Sequence, residues 1–134
     1  MGENVGAPAA LDLGWLCQRF GLFVGVAHGA RICEAQGVGV DLYASMFPEG
    51  DRARLLAEVI HADAYDRPSP TLAVWYHALE RVQGQAREAG ISSEVPDFVV
   101  GLFRRAISAG FGEDDVAALV KVLRNGTGSS ASEP

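Results

Sequence analysis

Residues 11–36 read LDLGWLCQRFGLFVGVAHGARICEAQ, and this stretch decides the fold of the chain. Apolar residues recur along it at the spacing of a helix, and further apolar residues lie on the remaining sides. A helix that is apolar nearly all round must be covered nearly all round. The stretch therefore predicts a central core helix, about 39 Å long at about 1.5 Å per residue, around which the other elements pack.

Three glycines, Gly21, Gly25 and Gly29, follow one another at four-residue spacing within this helix. Each glycine costs about 1 kcal/mol relative to alanine in a helix interior, so their repetition indicates that another helix approaches closely. In the simpler interpretation, all of the cover comes from the same chain. In the second interpretation, part of it comes from a second copy of the chain.

Charged residues in the same stretch argue against a membrane span. Asp12, Arg19, Arg31 and Glu34 interrupt it, whereas a span needs about 20 predominantly apolar residues in succession. Residues 1–10 also lack the basic start and the apolar run of a secretory signal. We therefore expect a soluble, cytoplasmic protein with no membrane partner.

The overall composition describes one acidic domain. The chain has 134 residues, of which 49% are hydrophobic, and a formal net charge of −6. This length suits a single domain, and the negative charge argues against a nucleic-acid partner, because phosphates attract basic surfaces. Cys17 and Cys33 would lie about 24 Å apart on one helix, too far for a disulfide. No residues have the spacing of a metal site.

Turn and capping residues divide the rest of the chain into shorter helices. We expect a lead-in over residues 1–10, a helical domain over 11–124 and a disordered tail over 125–134, which is rich in glycine and serine. No stretch alternates apolar and polar residues for long enough to predict a strand. The predicted fold is therefore all-α, with about five to six helices around the long one.

Individual residues mark the expected ends and buried faces of these helices. Predicted starts are Asp12, Asp41, Asp51, Ser69 before Pro70, Ser92 or Ser93, and the acidic run at 113–115. Predicted stops are Gly37, Gly90 with Ile91 folded back, and Gly110. The helix after Ser93 has an expected buried face of Phe98, Val99, Leu102, Phe103, Ala106 and Ile107.

Several short segments, taken in their order along the chain, form a familiar set. They are GENVGA at 2–7, ALDL at 10–13, HGA at 28–30, ADAY at 62–65, TLAV at 71–74, RRA at 104–106, GFGEDD at 110–115 and LVKVL at 119–123. This set resembles the C-terminal domain of imine reductases and reductive aminases, within the β-hydroxyacid and 6-phosphogluconate dehydrogenase group. The resemblance reaches about residue 124 and so covers nearly the whole chain.

The resemblance implies the helical C-terminal fold of 6-phosphogluconate dehydrogenases and a homodimer in which the long helix packs against the partner subunit. Family members carry a Rossmann domain ahead of this one, and NADPH binds there through a G-x-G-x-x-G turn. This sequence has only a lone GVG at residues 37–39, after a helix. We therefore expect no cofactor site in this chain, and NADPH only if a separate NADPH-binding subunit supplies it.

The resemblance also implies a small-molecule site for an amine or imine. Asp12 occupies the place of a family acid that donates a proton or anchors the substrate, Phe20 replaces a family tyrosine, and a family glutamine is replaced near Trp75. The aromatic residues expected to line an apolar pocket are Trp15, Phe20, Phe23, Trp75 and Tyr76. Two simpler interpretations stay open, in which Asp12 caps the long helix and the aromatic residues are plain core.

Three functions are consistent with these observations. The first is the substrate-binding and dimerising half of a split NADPH-dependent reductase. The second is a cofactor-free cyclase or isomerase that acts on an amine- or imine-bearing intermediate in specialised metabolite biosynthesis. The third is a structural remnant without catalysis. Whether the chain is an enzyme stays open at this stage, because the resemblance to oxidoreductases comes without a cofactor site.

Overall fold

The computed structural model describes residues 6–66 and 70–124, and every regular element within these ranges is helical. The helices are α1 (Ala7–Ala35), α2 (Val40–Ser45), α3 (Arg52–Ala62), α4 (Leu72–Ala89), α5 (Glu94–Ser108) and α6 (Leu119–Arg124). The predicted all-α class is confirmed. Residues 1–5 of the expected lead-in and the whole expected tail lie outside the described ranges.

Helix α1 is the centre of the fold, as the sequence predicts. It is 29 residues long and contacts each of the other five α-helices. The residues that it buries all lie on one side of the helix, here called the core face: Leu16, Phe20, Phe23, Val26, Ala27 and Ala30. Because the other helices pack against this face, α1 positions most of the hydrophobic core.

The opposite side of α1, here called the open face, is exposed in the single chain. Its residues are Leu11, Gly14, Gln18, Gly21, Gly25 and Ile32. By length and composition alone, α1 is long and apolar enough to cross a membrane. The core helix of a soluble protein can meet the same two criteria. In its most apolar 18-residue window, the mean hydropathy is 1.2 and only 22% of the window is buried. The apolar character of α1 therefore exceeds what its own chain covers.

The glycines of α1 have different surroundings. A Cβ atom added at Gly21 or Gly25 would meet nothing within 4 Å. At Gly29, in contrast, the added atom would collide with the hydroxyl end of Tyr43, which comes from α2. The close approach predicted from the glycine spacing therefore occurs within the chain at Gly29 only.

Helix α1 begins four residues earlier than predicted. Its first residue is Ala7, and Pro8 lies in the first turn, where a proline needs no N–H partner. Asp12 consequently lies in the second turn, so the interpretation of Asp12 as the helix cap is wrong. Asp41 is likewise not a cap, because Gly39 precedes α2 and Asp41 lies within its first turn.

Three other helix ends lie where the sequence predicts them. The Asp51 carboxylate accepts a hydrogen bond of 2.8 Å from a backbone N–H of the first turn of α3. Gly90 ends α4 in the left-handed region with φ of 72°, and the Ile91 N–H then donates to the carbonyl of Ala86. Ser93 precedes α5, also as predicted.

Helix α4 begins two residues later than predicted. The Thr71 hydroxyl caps it by accepting a hydrogen bond of 3.2 Å from the Val74 N–H. Pro70 precedes the helix, and Ser69 lies outside the described residues. Threonine is an effective cap, and its presence explains why the helix does not need the Ser69–Pro70 start.

The first two N–H groups of α4 are paired with a distant loop. Leu72 donates to the carbonyl of Asp114 over 2.8 Å, and Ala73 donates to the carbonyl of Gly112 over 2.9 Å. The first N–H groups of a helix have no partner within it. The loop between α5 and α6 therefore completes the start of α4.

One buried residue and one helix start near the C-terminus were predicted wrongly. Phe98 is 62% exposed, because the neighbours of α5 cover the side that carries Val99 and Phe103. The acidic run does not open an α-helix directly. A 3₁₀ turn, Val116–Ala118, comes first, and the Asp115 carboxylate caps it by accepting from the Ala117 N–H over 2.8 Å.

Candidate functional site

Three of the predicted pocket residues meet in the hydrophobic core. Phe20 and Phe23 are 1% and 2% exposed, and the ring of Trp75 lies 5.9 Å and 4.9 Å from theirs, centroid to centroid. Phe103 of α5 joins the cluster 5.7 Å from Phe20. These pairs are edge-to-face, an arrangement that aromatic rings prefer. Core packing accounts for the burial of this cluster, and a substrate-binding role for its members stays a prediction.

The other two predicted aromatic residues lie in separate surroundings. Trp15 is 49% exposed, and its ring centroid lies 4.7 Å from the Cζ of Arg19. The hydroxyl of Tyr76 accepts a hydrogen bond of 2.8 Å from the Nε of Arg104, and this bond raises the pKa of the guanidinium. The five aromatic residues therefore do not line one common wall.

Asp12 is exposed and lines an open cavity between α1 and α4. The cavity has a volume of about 390 Å³, and its polar walls include Arg81, Gln85 and Glu88 of α4. None of the predicted aromatic residues contributes to these walls. The cavity holds two carboxylates and one guanidinium, so charged and hydrogen-bonding ligands suit it better than purely apolar ones.

A second cavity shares the side chains of Leu13 and Gln85 with the first. It measures about 310 Å³, which is near the lower end of the roughly 300–1,000 Å³ typical of small-molecule pockets. Its walls are mostly apolar and come from α1, α4, the loop after α4 and the beginning of α5, including Leu13, Cys17, Val82, Ile91, Val95 and Pro96. Asp12 therefore lies beside an apolar cavity rather than within the aromatic cluster.

The walls supplied by α4 and α5 are the part of the site that sequence reasoning missed. Arg81, Gln85 and Glu88 recur at the spacing of one helix face, which could have indicated a shared polar wall. Ile91 and Val95 are 61% and 62% exposed. These two apolar residues flank a predicted helix start, but nothing in their spacing connects them to α1.

An ion pair between α1 and α6 lies at the opposite end of α1. Glu34 accepts hydrogen bonds from Arg124 over 2.7 Å and from Arg31 over 3.0 Å. The hydrogen bond from Arg124 holds the pKa of the Glu34 carboxyl below its ordinary value. Because Glu34 is about 33 Å along the helix from Asp12, this pair joins α6 to α1 without taking part in the candidate site.

Within residues 6–66 and 70–124, no three His, Cys, Asp or Glu side chains are grouped as a metal site would require. Both cysteines are free and half-buried. Beside Asp12, the polar groups that line the two cavities include carboxylates, a guanidinium group, the amide of Gln85 and the free thiol of Cys17.

The architecture is that of the helical C-terminal domain of a dehydrogenase. The 3-hydroxyisobutyrate dehydrogenase of Salmonella typhimurium superposes on this chain with a TM-score of 0.78. The match covers 87% of this chain and 42% of that one, at 16% sequence identity. At this identity the likeness establishes the fold and not the activity.

The chain belongs to the NADPH-dependent reductive aminase-like family, as its C-terminal domain, because the family's sequence pattern matches residues 4–125. A reductive aminase from Aspergillus terreus, solved in complex with NADPH and ethyl levulinate, is 29% identical with a TM-score of 0.50. That match covers 89% of this chain and 44% of that one, so the chain spans less than half the length of either enzyme. Comparison with curated proteins gave no match. The family resemblance read from the sequence is confirmed.

Proposed function

We propose that this domain is the substrate-binding and dimerising half of an NADPH-dependent reductase. In this proposal an amine or imine binds in the apolar cavity beside Asp12, and a second copy of the domain covers the open face of α1. A separate NADPH-binding subunit holds the cofactor. The family match is the single observation that carries the reductase assignment. The open face of α1 supports the dimer, and the two cavities beside Asp12 support the ligand.

The composition of the open face supports contact with another protein surface. Leu11 and Ile32 are 74% and 56% exposed, although each lies on the central helix of the domain. Between them, Gly21 and Gly25 leave the helix backbone accessible, with nothing within 4 Å of an added Cβ. A second helix approaches closely where side chains are absent, and a two-fold axis would place the same face of both copies in contact.

The charge and shape of the two adjoining cavities support an amine or imine as the ligand. An ionised Asp12 would attract an ammonium or iminium group by charge, while the apolar walls of the second cavity would take the rest of the molecule. Arg81 stands in the same cavity as Asp12 and would orient the carboxylate. Asp12 acts in this proposal as the anchor or as the proton donor.

Sedimentation velocity at micromolar concentration tests the dimer. We expect a dimer for the natural chain and a dissociation constant raised about tenfold or more for the double variant Gly21→Ala, Gly25→Ala, because overpacking costs about 1–3 kcal/mol. The added methyl groups have room within one chain, so the fold itself should be retained. Gly101→Ala on α5 is the matched control, since a Cβ there also meets nothing within 4 Å. A monomer that melts cooperatively at these concentrations would overturn the dimer.

A second candidate is a cofactor-free cyclase or isomerase that acts on an amine- or imine-bearing intermediate. The observation in its favour is that the apolar cavity and Asp12 both belong to this one domain. Confinement and orientation alone accelerate reactions, and a positioned carboxyl adds proton transfer. Consumption of an amine substrate without NADPH would favour this candidate over the reductase.

Asp12→Asn tests the part played by the carboxylate in either candidate. We expect turnover to fall by about 10²-fold or more, the usual contribution of general acid catalysis, with an unchanged unfolding midpoint because Asp12 is exposed. The control is Asp41→Asn, which removes an exposed carboxylate from α2. Unchanged turnover in Asp12→Asn would remove this residue from the mechanism.

A further inference from the structure

We propose that Arg19 and Arg52 together bind one oxyanion group, a carboxylate or a phosphate, between α1 and the start of α3. The two side chains line one open cavity of about 400 Å³, along with Gly50, Asp51 and Leu55. This cavity shares no lining residue with the two cavities beside Asp12. The oxyanion site is therefore separate from the amine site proposed above, and only one of its two possible ligand sources, the second copy of the chain, rests on the proposed function.

The surroundings of Arg19 are the main observation. Its Nε is buried and has no hydrogen-bond partner within the described residues, whereas buried N–H groups nearly always find an acceptor. The ring of Trp15 lies over the guanidinium at 4.7 Å from its Cζ. The ring covers one face of the guanidinium, so an acceptor must approach in its plane. Because the Nε is buried in the single chain, an acceptor in the cavity would satisfy it only once the side chain turns toward the cavity.

The charge balance of the cavity favours an anion. Two guanidinium groups face a single carboxylate, that of Asp51, and one oxygen of that carboxylate already accepts a backbone hydrogen bond at the start of α3. The next cation of α3, Arg54, donates to Glu58 over 3.0 Å and takes no part. Because the chain carries a net charge of −6, two arginines lining one cavity are a local exception.

The geometry of guanidinium groups selects the ligand class. A planar fork of N–H donors matches the paired oxygens of a carboxylate or a phosphate, and such charge-assisted bonds are stronger than neutral ones. The oxyanion comes either from a free solute or from an acidic side chain of the second copy that covers α1. The hydrogen bonds to the two arginines are the same in both cases. The two sources differ in whether binding of a free oxyanion weakens the dimer.

Titration of the labelled chain with sodium phosphate, at constant ionic strength, tests the site. We expect the Nε–Hε NMR signals of Arg19 and Arg52 to shift and to saturate. Arg19→Gln and Arg52→Gln should each weaken phosphate binding about tenfold or more, because hydrogen bonds to charged groups contribute about 1.5–3 kcal/mol. Arg105→Gln, an exposed arginine of α5, should leave it unchanged.

Arg19→Lys separates the donor from the charge, since lysine keeps the charge and lacks the Nε. We expect it to bind phosphate nearly as weakly as Arg19→Gln, and binding as tight as in the natural chain would overturn the role of the Nε. Shifts that grow linearly and equally at all arginines, as with chloride, would overturn the site. Amide spectra of each variant verify that it is folded.

Sedimentation along the same titration distinguishes the two sources of the oxyanion. If the second copy supplies a carboxylate, phosphate competes with it for the two arginines and the dimer dissociates. The phosphate concentration at half-dissociation then equals the concentration at the midpoint of the NMR titration. If the ligand is a free solute, the NMR shifts saturate while the sedimentation coefficient stays constant. Either result supports the oxyanion site, and a chain that is monomeric throughout but still binds phosphate would contradict the dimer only.

Discussion

The core face of α1 is wholly apolar, whereas the open face combines two large apolar residues with glycines and Gln18, and the two faces differ in the volume of their side chains. The core face carries two phenylalanines, a leucine and a valine, whereas three of the six residues on the open face are glycines. Large side chains fill the space between α1 and the helices of its own chain. The glycines of the open face instead keep the backbone accessible, so side-chain volume is one property that distinguishes the face covered by the chain itself from the face that the single chain leaves exposed.

The largest effect expected from this comparison concerns two leucines. Leu16 on the core face is 7% exposed and Leu11 on the open face is 74% exposed. We expect Leu16→Ala to lower the free energy of unfolding by about 2–5 kcal/mol, through lost burial and a cavity. Leu11→Ala should change it by less than about 0.5 kcal/mol in the dilute monomer. Urea unfolding at nanomolar concentration measures both, and equal losses would contradict the distinction between the faces.

An intermediate effect is expected at two glycines. Gly25→Ala should raise the stability of the monomer by up to about 1 kcal/mol, because alanine is the better helix former. Gly29→Ala should instead lower it by about 1–3 kcal/mol, because the new methyl group displaces the ring of Tyr43. Thermal unfolding of the two variants side by side measures the difference. In a chain that also carries Tyr43→Ala, the collision is absent. We expect Gly29→Ala to stabilise that chain.

The smallest effect concerns the end of α1, where Arg124 holds Glu34. The pKa of Glu34 is lowered in the folded chain from an ordinary value of 4.5, mainly by the hydrogen bond from Arg124. The pair therefore stabilises the fold above about pH 4.5, and this stability is lost as the pH falls through the lowered pKa. Both side chains are partly exposed, so Arg124→Gln should cost less than about 1 kcal/mol at pH 7. The difference in unfolding free energy between the natural chain and Arg124→Gln should shrink as the pH falls below 4.5, and a difference that stays constant with pH would contradict this assignment.

Local chemistry predicted much of the fold. Asp51 caps α3, and Gly90 with Ile91 ends α4, because each of these signals depends on a few neighbouring residues only. The start of α1 was missed because Pro8, read as part of a lead-in, is compatible with a first helical turn. Periodicity predicts an apolar stripe along α5 that includes Phe98. It does not predict how much of that stripe the neighbouring helices cover, and Phe98 lies at the edge that they leave exposed.

The candidate site was less predictable than the fold. Asp12 was identified through the family resemblance, but the aromatic residues expected around it occupy the core and other parts of the surface. The cavities beside Asp12 have walls from three helices. Spacing places Gln85 on one face of α4 with Arg81 and Glu88, but periodicity within one helix contains no information about which residues of another helix that face meets. The pairing of Gln85 and Val95 with α1 could therefore not be predicted from spacing alone.

The hydrogen bonds at the start of α4 have a consequence for how the domain is completed during synthesis. The amides of Leu72 and Ala73 find their acceptors only in residues 112–114, which leave the ribosome some 40 residues later. Until then the first turn of α4 depends on water and on Thr71. The first turn of α4 is therefore completed only when the C-terminal part of the chain has folded. In a nascent chain that stops before Gly112, the amide hydrogens of this turn would exchange freely with solvent.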